Sequence, residues 1–155
     1  MRLVNFKSLT IKNFLSVGET PVTINFQTGV NVITGTNYDK EDSKNGVGKS
    51  TIADALYFAL FGTTIRELSK DLIVNSFTKK KCEVVLDIDI ENGNGLSQYR
   101  ITRTINPTKC HMTKNGEDIT RSTMAKTNEY IQKLVLSNGK IFQNSVIMTL
   151  SLIHI

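Results

Sequence analysis

The sequence predicts an α/β domain that joins an antiparallel β-meander to a central strand, glycine loop and helix. Three observations carry this. A period-two run from Cys82 to Ile90 returns after Asn92-Gly93-Asn94-Gly95. A β-branched run, Val30, Val32 and Ile33, ends on Thr34 and Gly35. An apolar face at helical spacing begins at Ile52, directly after Gly46, Val47, Gly48, Lys49, Ser50 and Thr51. With 155 residues, 39% of them hydrophobic, the chain suits one ordinary domain with its own core.

Taken in order, Leu3 to Phe14 mixes alternation with β-branched residues and reads as one strand, closed by Ser16-Val17-Gly18-Glu19 before Pro21. Val22, Ile24 and Phe26 alternate with Thr23 and Asn25 as a half-buried strand does, and Gly29 marks a turn. Val30 to Ile33 then fits a buried strand feeding a loop at its carboxyl end. Ile52, Ala55, Leu56, Ala59 and Leu60 give the following helix one apolar face, strongly amphipathic, and Gly62 sits at its C-cap. Tyr99 to Ile105 returns from the Cys82 strand with Arg100, Thr102 and Thr104 on one face. Lys109 to Thr113 adds another strand, turning at Asn115-Gly116. Thr123 to Leu136 is a second helix with Ser122 or Thr123 as N-cap. Ile141 to Ile155 is nearly uncharged and apolar with no stop signal, the expectation for a truncated domain.

Composition narrows the function classes less than the motifs do. A formal charge of +5 and a pI near 9.3 attract polyanions, although such a charge is also common among proteins that bind none. Cys82 and Cys110 lack the paired spacing of a zinc or redox site and read as ordinary reduced thiols. His111 and His154 lack evident partners. No stretch approaches the roughly 20 apolar residues of a membrane span, and Asn5, Lys7 and Ser8 interrupt any signal-peptide core. The simplest expectation is a soluble cytoplasmic protein with no membrane partner.

The loop before the first helix carries the chemistry. A triphosphate needs backbone N–H groups that converge on oxygens, hence glycines, and a cation that reaches the terminal phosphates. Gly46, Gly48 and Lys49 answer that need, Ser50 supplies the hydroxyl for Mg2+, and the helix presents its N-terminal dipole. The strict pattern G-x-x-x-x-G-K-[ST] fails, because Ser43 stands where its first glycine should be. With Gly35 as that glycine, Gly35 and Gly48 lie 13 positions apart instead of five, so eight residues are inserted, either Tyr38 to Asn45 or Asn37 to Lys44. Asp39, Glu41 and Asp42 in the insertion are cation ligands or a solvated bulge. A calcium loop starting at Asp39 would need glycine where Lys44 stands, which favours the bulge. The order of strand, loop and helix points to a P-loop NTPase that binds ATP.

The run Leu9-Thr10-Ile11-Lys12-Asn13-Phe14-Leu15-Ser16, the loop from Gly35-Thr36-Asn37 to Thr51, and Ile52 to Gly62 together resemble the opening of SbcC-type double-strand-break repair ATPases. These belong to the structural-maintenance-of-chromosomes (SMC) and ABC group. Asn75-Ser76, the acidic strand from Cys82 and Tyr99-Arg100-Ile101-Thr102-Arg103 extend the resemblance over nearly the whole chain, and Leu15 to Gly18 have counterparts in phage recombination endonuclease ATPase subunits. The resemblance implies an ABC/SMC-type ATPase head split between the two ends of a long chain. Residues 1–150 would be its N-terminal lobe, with a P-loop insertion at about 37–45, and 151–155 a divergent or truncated tail. It further implies ATP and Mg2+, a C-terminal ATPase lobe, an SbcD-type nuclease subunit, double-stranded DNA and a head-to-head dimer, in the host cytoplasm if phage-encoded.

Within that family the C-terminal lobe supplies the acidic Mg2+ site (Walker B) and the signature motif, and neither pattern occurs here. Binding without appreciable turnover is therefore expected of this chain alone. Aligning Phe142 and Ser145 with the family's run places Leu150 where a glutamine would stand, with Gln143 seven positions early. Either this subgroup lacks that ligand or the tail from about Thr149 has diverged. Leu15 stands where many members carry arginine. Asn37 or Asn45 matches the asparagine between the first two glycines. Asn13 matches the family's Lys-Asn pair, which implies a nucleotide-edge role, against which stands a plain turn residue ending the strand.

Family heads bind duplex DNA through backbone contacts on basic surfaces. Lys79, Lys80, Lys81 and Arg103, with Arg100 and Lys109, are the candidates here, although Arg103 points away from the face of Arg100. Two functions stay open: the nucleotide-binding lobe of an ATP-driven repair motor, and a nucleotide- or DNA-end-binding module without catalysis. A small-molecule kinase is disfavoured because no lid of clustered arginines follows the first helix.

Overall fold

The computed structural model describes residues 2–36, 38 and 48–145. Strands β1 (Leu3–Lys12), β2 (Val22–Asn25), β3 (Cys82–Asn92), β4 (Gly95–Ile105), β5 (Lys109–Lys114) and β6 (Glu117–Asp118) form one sheet in the order β2-β1-β3-β4-β5-β6. Each neighbouring pair is antiparallel. The hairpins follow from their turn residues. Asn92 faces Gly95 across Gly93-Asn94; Lys114 faces Glu117 across Asn115-Gly116, where Asn115 and Gly116 are each at positive φ, as a twist-matched two-residue turn requires.

Alternation decides which face is buried. Every second side chain of β3 from Cys82 to Ile90 is inside, and Leu9 and Ile11 of β1, Tyr99 and Ile101 of β4, and Met112 of β5 join the same core. Burial pushes the Cys82 thiol up to about 12 and raises Cys110 as well, so neither is a thiolate near neutral pH. On the opposite face Arg100 donates to both Asp87 oxygens, at 2.7 and 3.0 Å, and Ser8 donates to Asp87 at 3.1 Å. His111 has a partner after all: its Nε2 lies 3.4 Å from Asp118 Oδ2, brought there by the β5–β6 turn.

Four helices accompany the sheet: α1 (Lys49–Phe61), α2 (Lys70–Ile73), α3 (Met124–Val135) and α4 (Gly139–Ser145). Helix α1 lies on the buried face of β1, β3 and β4 and is flanked by α3 and α4. This corrects the expectation of a single apolar stripe. Tyr57, Phe58, Ala59 and Leu60 are consecutive and all buried, while Ile52 and Leu56 are only half-buried, because α1 has neighbours on several sides. Thr123 is the N-cap of α3, its hydroxyl accepting from Lys126 N–H at 3.2 Å. Phe142 of α4 packs edge-on against Phe61 and Phe6, with centroids 5.5 and 6.1 Å away.

Two further sequence expectations are overturned. Val30 to Ile33 is not a strand: Val30 and Val32 are 97% and 82% exposed, and no strand of the described residues lies beside them to complete a ladder. Arg103 is no surface cation. It is 2% exposed and caps the end of α1, donating to Ala59 O at 2.8 Å, Leu60 O at 3.1 Å and Asn128 Oδ1 at 2.7 Å. Helix C-terminal carbonyls carry partial negative charge, so a buried guanidinium is compensated there. Gly62 makes room for it: a Cβ at that residue would lie 3.0 Å from Arg103 Nη1. The apolar tail beyond Ser145, with His154, lies outside the described residues.

Arg103→Ala leaves those three acceptors without their donor and opens a void, and should cost about 3 kcal/mol in chemical denaturation; a loss within error of zero would contradict the capping role. Hydrogen bonds from Arg100 hold Asp87 below its ordinary 3.8. The folded state thus binds this proton less readily than the unfolded chain, so the pair's stabilisation is present above about pH 3.8 and is lost as pH falls through the lowered value. Asp87→Asn should flatten that acid limb when the urea midpoint is followed against pH, and an unaltered limb would refute this assignment.

Candidate nucleotide site

Three short segments meet at the N-terminus of α1. The first is the turn leaving β1, where Asn13 and Leu15 both take left-handed backbone conformations, at φ 51 and 47. It is closed by Asn13 N–H donating to Gly18 O at 2.8 Å and Val17 N–H to Phe14 O at 2.9 Å. Phe14 is fully buried and packs on Phe58 of α1, at 5.4 Å between centroids. The second segment, after α2, holds the turn from the side: Leu15 N–H donates to Ile73 O, and Asn75 N–H donates to Asn13 O.

The third segment is the start of α1. Gly48 is its N-cap, at φ 83, with no side chain capping the helix and no acid in its first turn. Ser16, at the tip of the β1 turn, reaches it: the Ser16 and Thr51 hydroxyl oxygens are 2.9 Å apart. A Cβ at residue 48 would stand 2.8 Å from Ser16 Oγ, so both the backbone conformation and the close approach call for glycine.

Ser16, Gly48 and Thr51 form a wall with a cleft on each side. One cleft, of about 520 Å³, has an apolar floor of Ile11, Val22 and Ile24 and is closed by Ile33, Thr34, Lys49 and Ile52. The other, of about 410 Å³, is lined by Ser50, Leu15, Arg66, Asp71 and Ser76. Arg66 is tethered beside α1 by Asp54, whose Oδ2 lies 3.4 Å from its guanidinium while Ile65 N–H donates to Oδ1 at 3.2 Å. Burial raises the Asp54 pKa, with Arg66 and the Ile65 N–H opposing the shift.

This arrangement suits an anion. A thirteen-residue helix presents an N-terminus free of acidic residues, a lysine at its first position, and hydroxyls at Ser50 and Thr51. The apolar cleft is of the size and character that takes a base and sugar. The donor set also fits Mg2+, a hard cation usually shared between a hydroxyl or carboxylate and substrate phosphates: Ser50 and Asp71 line one cleft. Among the described residues no cluster of three His, Cys, Asp or Glu could hold a metal unaided.

The residues named from sequence separate into groups. Gly48, Lys49, Ser50 and Thr51 are gathered at the α1 N-terminus, and Ile33 and Thr34, just before Gly35, line the same cleft as Lys49. Asn37, Asn45, Gly46 and Val47 lie outside the described residues, as does most of the insertion. Asn13 is 1% exposed and its amide is committed to the protein, donating to Lys81 O at 2.9 Å and accepting from Thr78 Oγ at 2.9 Å. Its turn reading therefore prevails over a nucleotide-edge role. Of the basic residues, Lys80 pairs with Glu19 at 2.8 Å and Lys81 with Glu83 at 3.5 Å, while Lys79 and Lys109 are exposed. The sequence reading missed Ser16, Arg66 and Asn75 as parts of the site. Asn75 carried one local signal, an asparagine accepting from N–H groups two and three residues ahead.

A mixed sheet-and-helix unit whose longest described helix opens on Gly-Lys-Ser-Thr against the turn of its first long strand has the fold of SMC and RecF head domains. The family model for an AAA domain matches residues 8–152, and the chain belongs to that family. It is 32% identical over 145 residues to the DNA double-strand break repair Rad50 ATPase of Thermoplasma volcanium, covering 89% of this chain and 14% of that protein. It is also 32% identical over 125 residues to exonuclease subunit 2 of Enterobacteria phage T4, covering 79% of this chain and 20% of that one. The chain thus spans a seventh to a fifth of the length of these relatives.

Solved structures agree on the fold. A chain from a study of ATP-driven dimerization and DNA-stimulated activation of SMC ATPases superposes with a TM-score of 0.62 at 22% identity, covering 96% of this chain and 89% of that one. The Smc head domain from Pyrococcus furiosus gives 0.59 at 23% identity, covering 89% and 35%. Gly48→Ala places a methyl group against Ser16 in a left-handed conformation, and should lower stability by about 1–2 kcal/mol. Thermal unfolding reads this directly, and a neutral result would mean Ser16 turns aside at no cost.

Proposed function

We propose that this chain is the N-terminal, ATP-binding lobe of a DNA double-strand-break repair ATPase head that works with a nuclease subunit. The observation that carries the reading is the α1 N-terminus: Gly48 at its cap, Lys49 and Ser50 in its first turn, and an apolar cleft alongside. The Rad50 and phage exonuclease-subunit relatives support the repair context. Lys49 would neutralise the terminal phosphates, Ser50 with Asp71 alongside would hold Mg2+, and Gly35, Asn37, Asn45, Gly46, Val47 and Thr51 would complete the loop. Bound Mg2+ supplies charge neutralisation of the phosphates.

Turnover, on this reading, needs a second lobe that brings the acidic Mg2+ site and the signature motif, and two heads would face each other across the nucleotide. Double-stranded DNA would be met by Lys79 and Lys109 through its backbone, with affinity falling as salt rises.

Lys49→Ala should reduce ATP affinity at least about tenfold in calorimetry, as expected when a charge placed to meet the terminal phosphates is removed. Unchanged affinity would sink the site assignment. Adding the C-terminal lobe of a related head in trans should produce Lys49-dependent ATP hydrolysis; binding that never leads to turnover in that mixture would favour a non-catalytic nucleotide-binding module.

A further inference from the structure

The turn from Asn13 to Gly18 is constrained beyond what ending a strand requires. Two of its residues, Asn13 and Leu15, are non-glycines in the left-handed region, and such conformations persist only where the surroundings enforce them. The enforcement comes largely from Asn75, which is 5% exposed. Its Nδ2 donates to Leu15 O at 2.8 Å and its backbone N–H donates to Asn13 O at 3.0 Å, so one residue grips both left-handed positions. Its Oδ1 accepts from Phe77 and Thr78 N–H, each at 3.1 Å, which fixes the amide's orientation. Thr78, so placed, donates to Asn13 Oδ1 and completes a closed ring of bonds between the two segments.

What this ring holds in place is Ser16. That residue follows Leu15, contacts Thr51 Oγ1, and sets the closest approach to Gly48. We infer that Asn75 is a positioning residue for the nucleotide: by gripping Leu15 and Asn13 it fixes the turn whose Ser16 sets the position of the α1 N-terminus between the two clefts. The inference rests on reading that N-terminus as the triphosphate site. Asn75 itself touches no phosphate on this account. It acts through the turn.

The test uses Asn75→Asp, which keeps the acceptor for Phe77 and Thr78 but replaces the donor to Leu15 O with an oxygen. Fluorescent-ATP titrations in Mg2+ are run on the parent, Asn75→Asp, Ser16→Ala and the double variant, with circular dichroism to establish folding. Asn75→Asp should weaken binding about tenfold, as loss of a buried hydrogen bond that governs the site would. In the Ser16→Ala background the same change should add less than about twofold, because residues acting through one contact are not additive. A merely structural Asn75 would give equal losses in both backgrounds, and that result, or an affinity within twofold of the parent, overturns the inference. Thr78→Val, a milder break in the same ring, provides the second arm should Asn75→Asp not fold: about threefold weakening with the same dependence on Ser16 supports the proposal, and no weakening refutes it. Lys49→Ala run alongside separates the two readings, since its failure to weaken binding would remove the nucleotide site itself.

Discussion

Helix α1 is gripped at both ends by groups from outside it, and the arrangement of the domain follows from that grip. At the N-terminus Ser16 meets Thr51 and crowds Gly48. At the C-terminus Arg103 binds the carbonyls of Ala59 and Leu60. The two devices differ in kind. One uses small residues and a strained turn to leave backbone N–H groups accessible, whereas the other uses a buried charge to satisfy carbonyls that the helix cannot satisfy itself. Between them the side chains from Thr51 to Leu60 fill the space between sheet and helices, so movement of α1 along its axis would disturb both ends at once.

Arg103 also ties the helix to the meander. It projects from β4, and Asn128 of α3 accepts from the same guanidinium, so one side chain joins three elements. Removing a charge of this kind is costly because its partners remain buried without it. The surface pair Arg100–Asp87, with Arg100 three positions earlier on the opposite face, resembles it chemically but is partly in water, and its one further partner here is Ser8 of β1. Three positions apart on one strand, and so on opposite faces, the same residue type joins buried elements in one place and makes a surface ion pair in the other.

The period-two pattern made most of the sheet legible before any coordinates, since Cys82 to Ile90 and Tyr99 to Ile105 alternate, with Val85 and Arg103 the exceptions, and the turns between strands carry Asn and Gly. Gly62, Thr123 and the Gly48-Lys49-Ser50-Thr51 run marked helix ends for equally local reasons. The failures were non-local. Val30 to Ile33 has the composition of a buried strand, but a strand needs neighbours, and composition does not state whether they are present. Arg103 read as a surface cation because the sequence could not show that α1 ends beside it. Asn75 and Ser16 sit 59 positions apart, and only the folded chain reveals that they bear on the same turn.

The pairing of β1 with β3 sets Ser8 opposite Asp87, almost 80 positions away in the chain, whereas β3, β4 and β5 are joined by short turns. Closing a loop of that length costs entropy that the meander does not face. The meander is accordingly the part able to order early, and β1 is the strand that must wait for it. Because Asn13 to Gly18 hangs from the end of β1, the wall between the two clefts is carried by a strand whose long partner comes almost 80 positions later, and a ribosome has to make β3 before β1 has that partner.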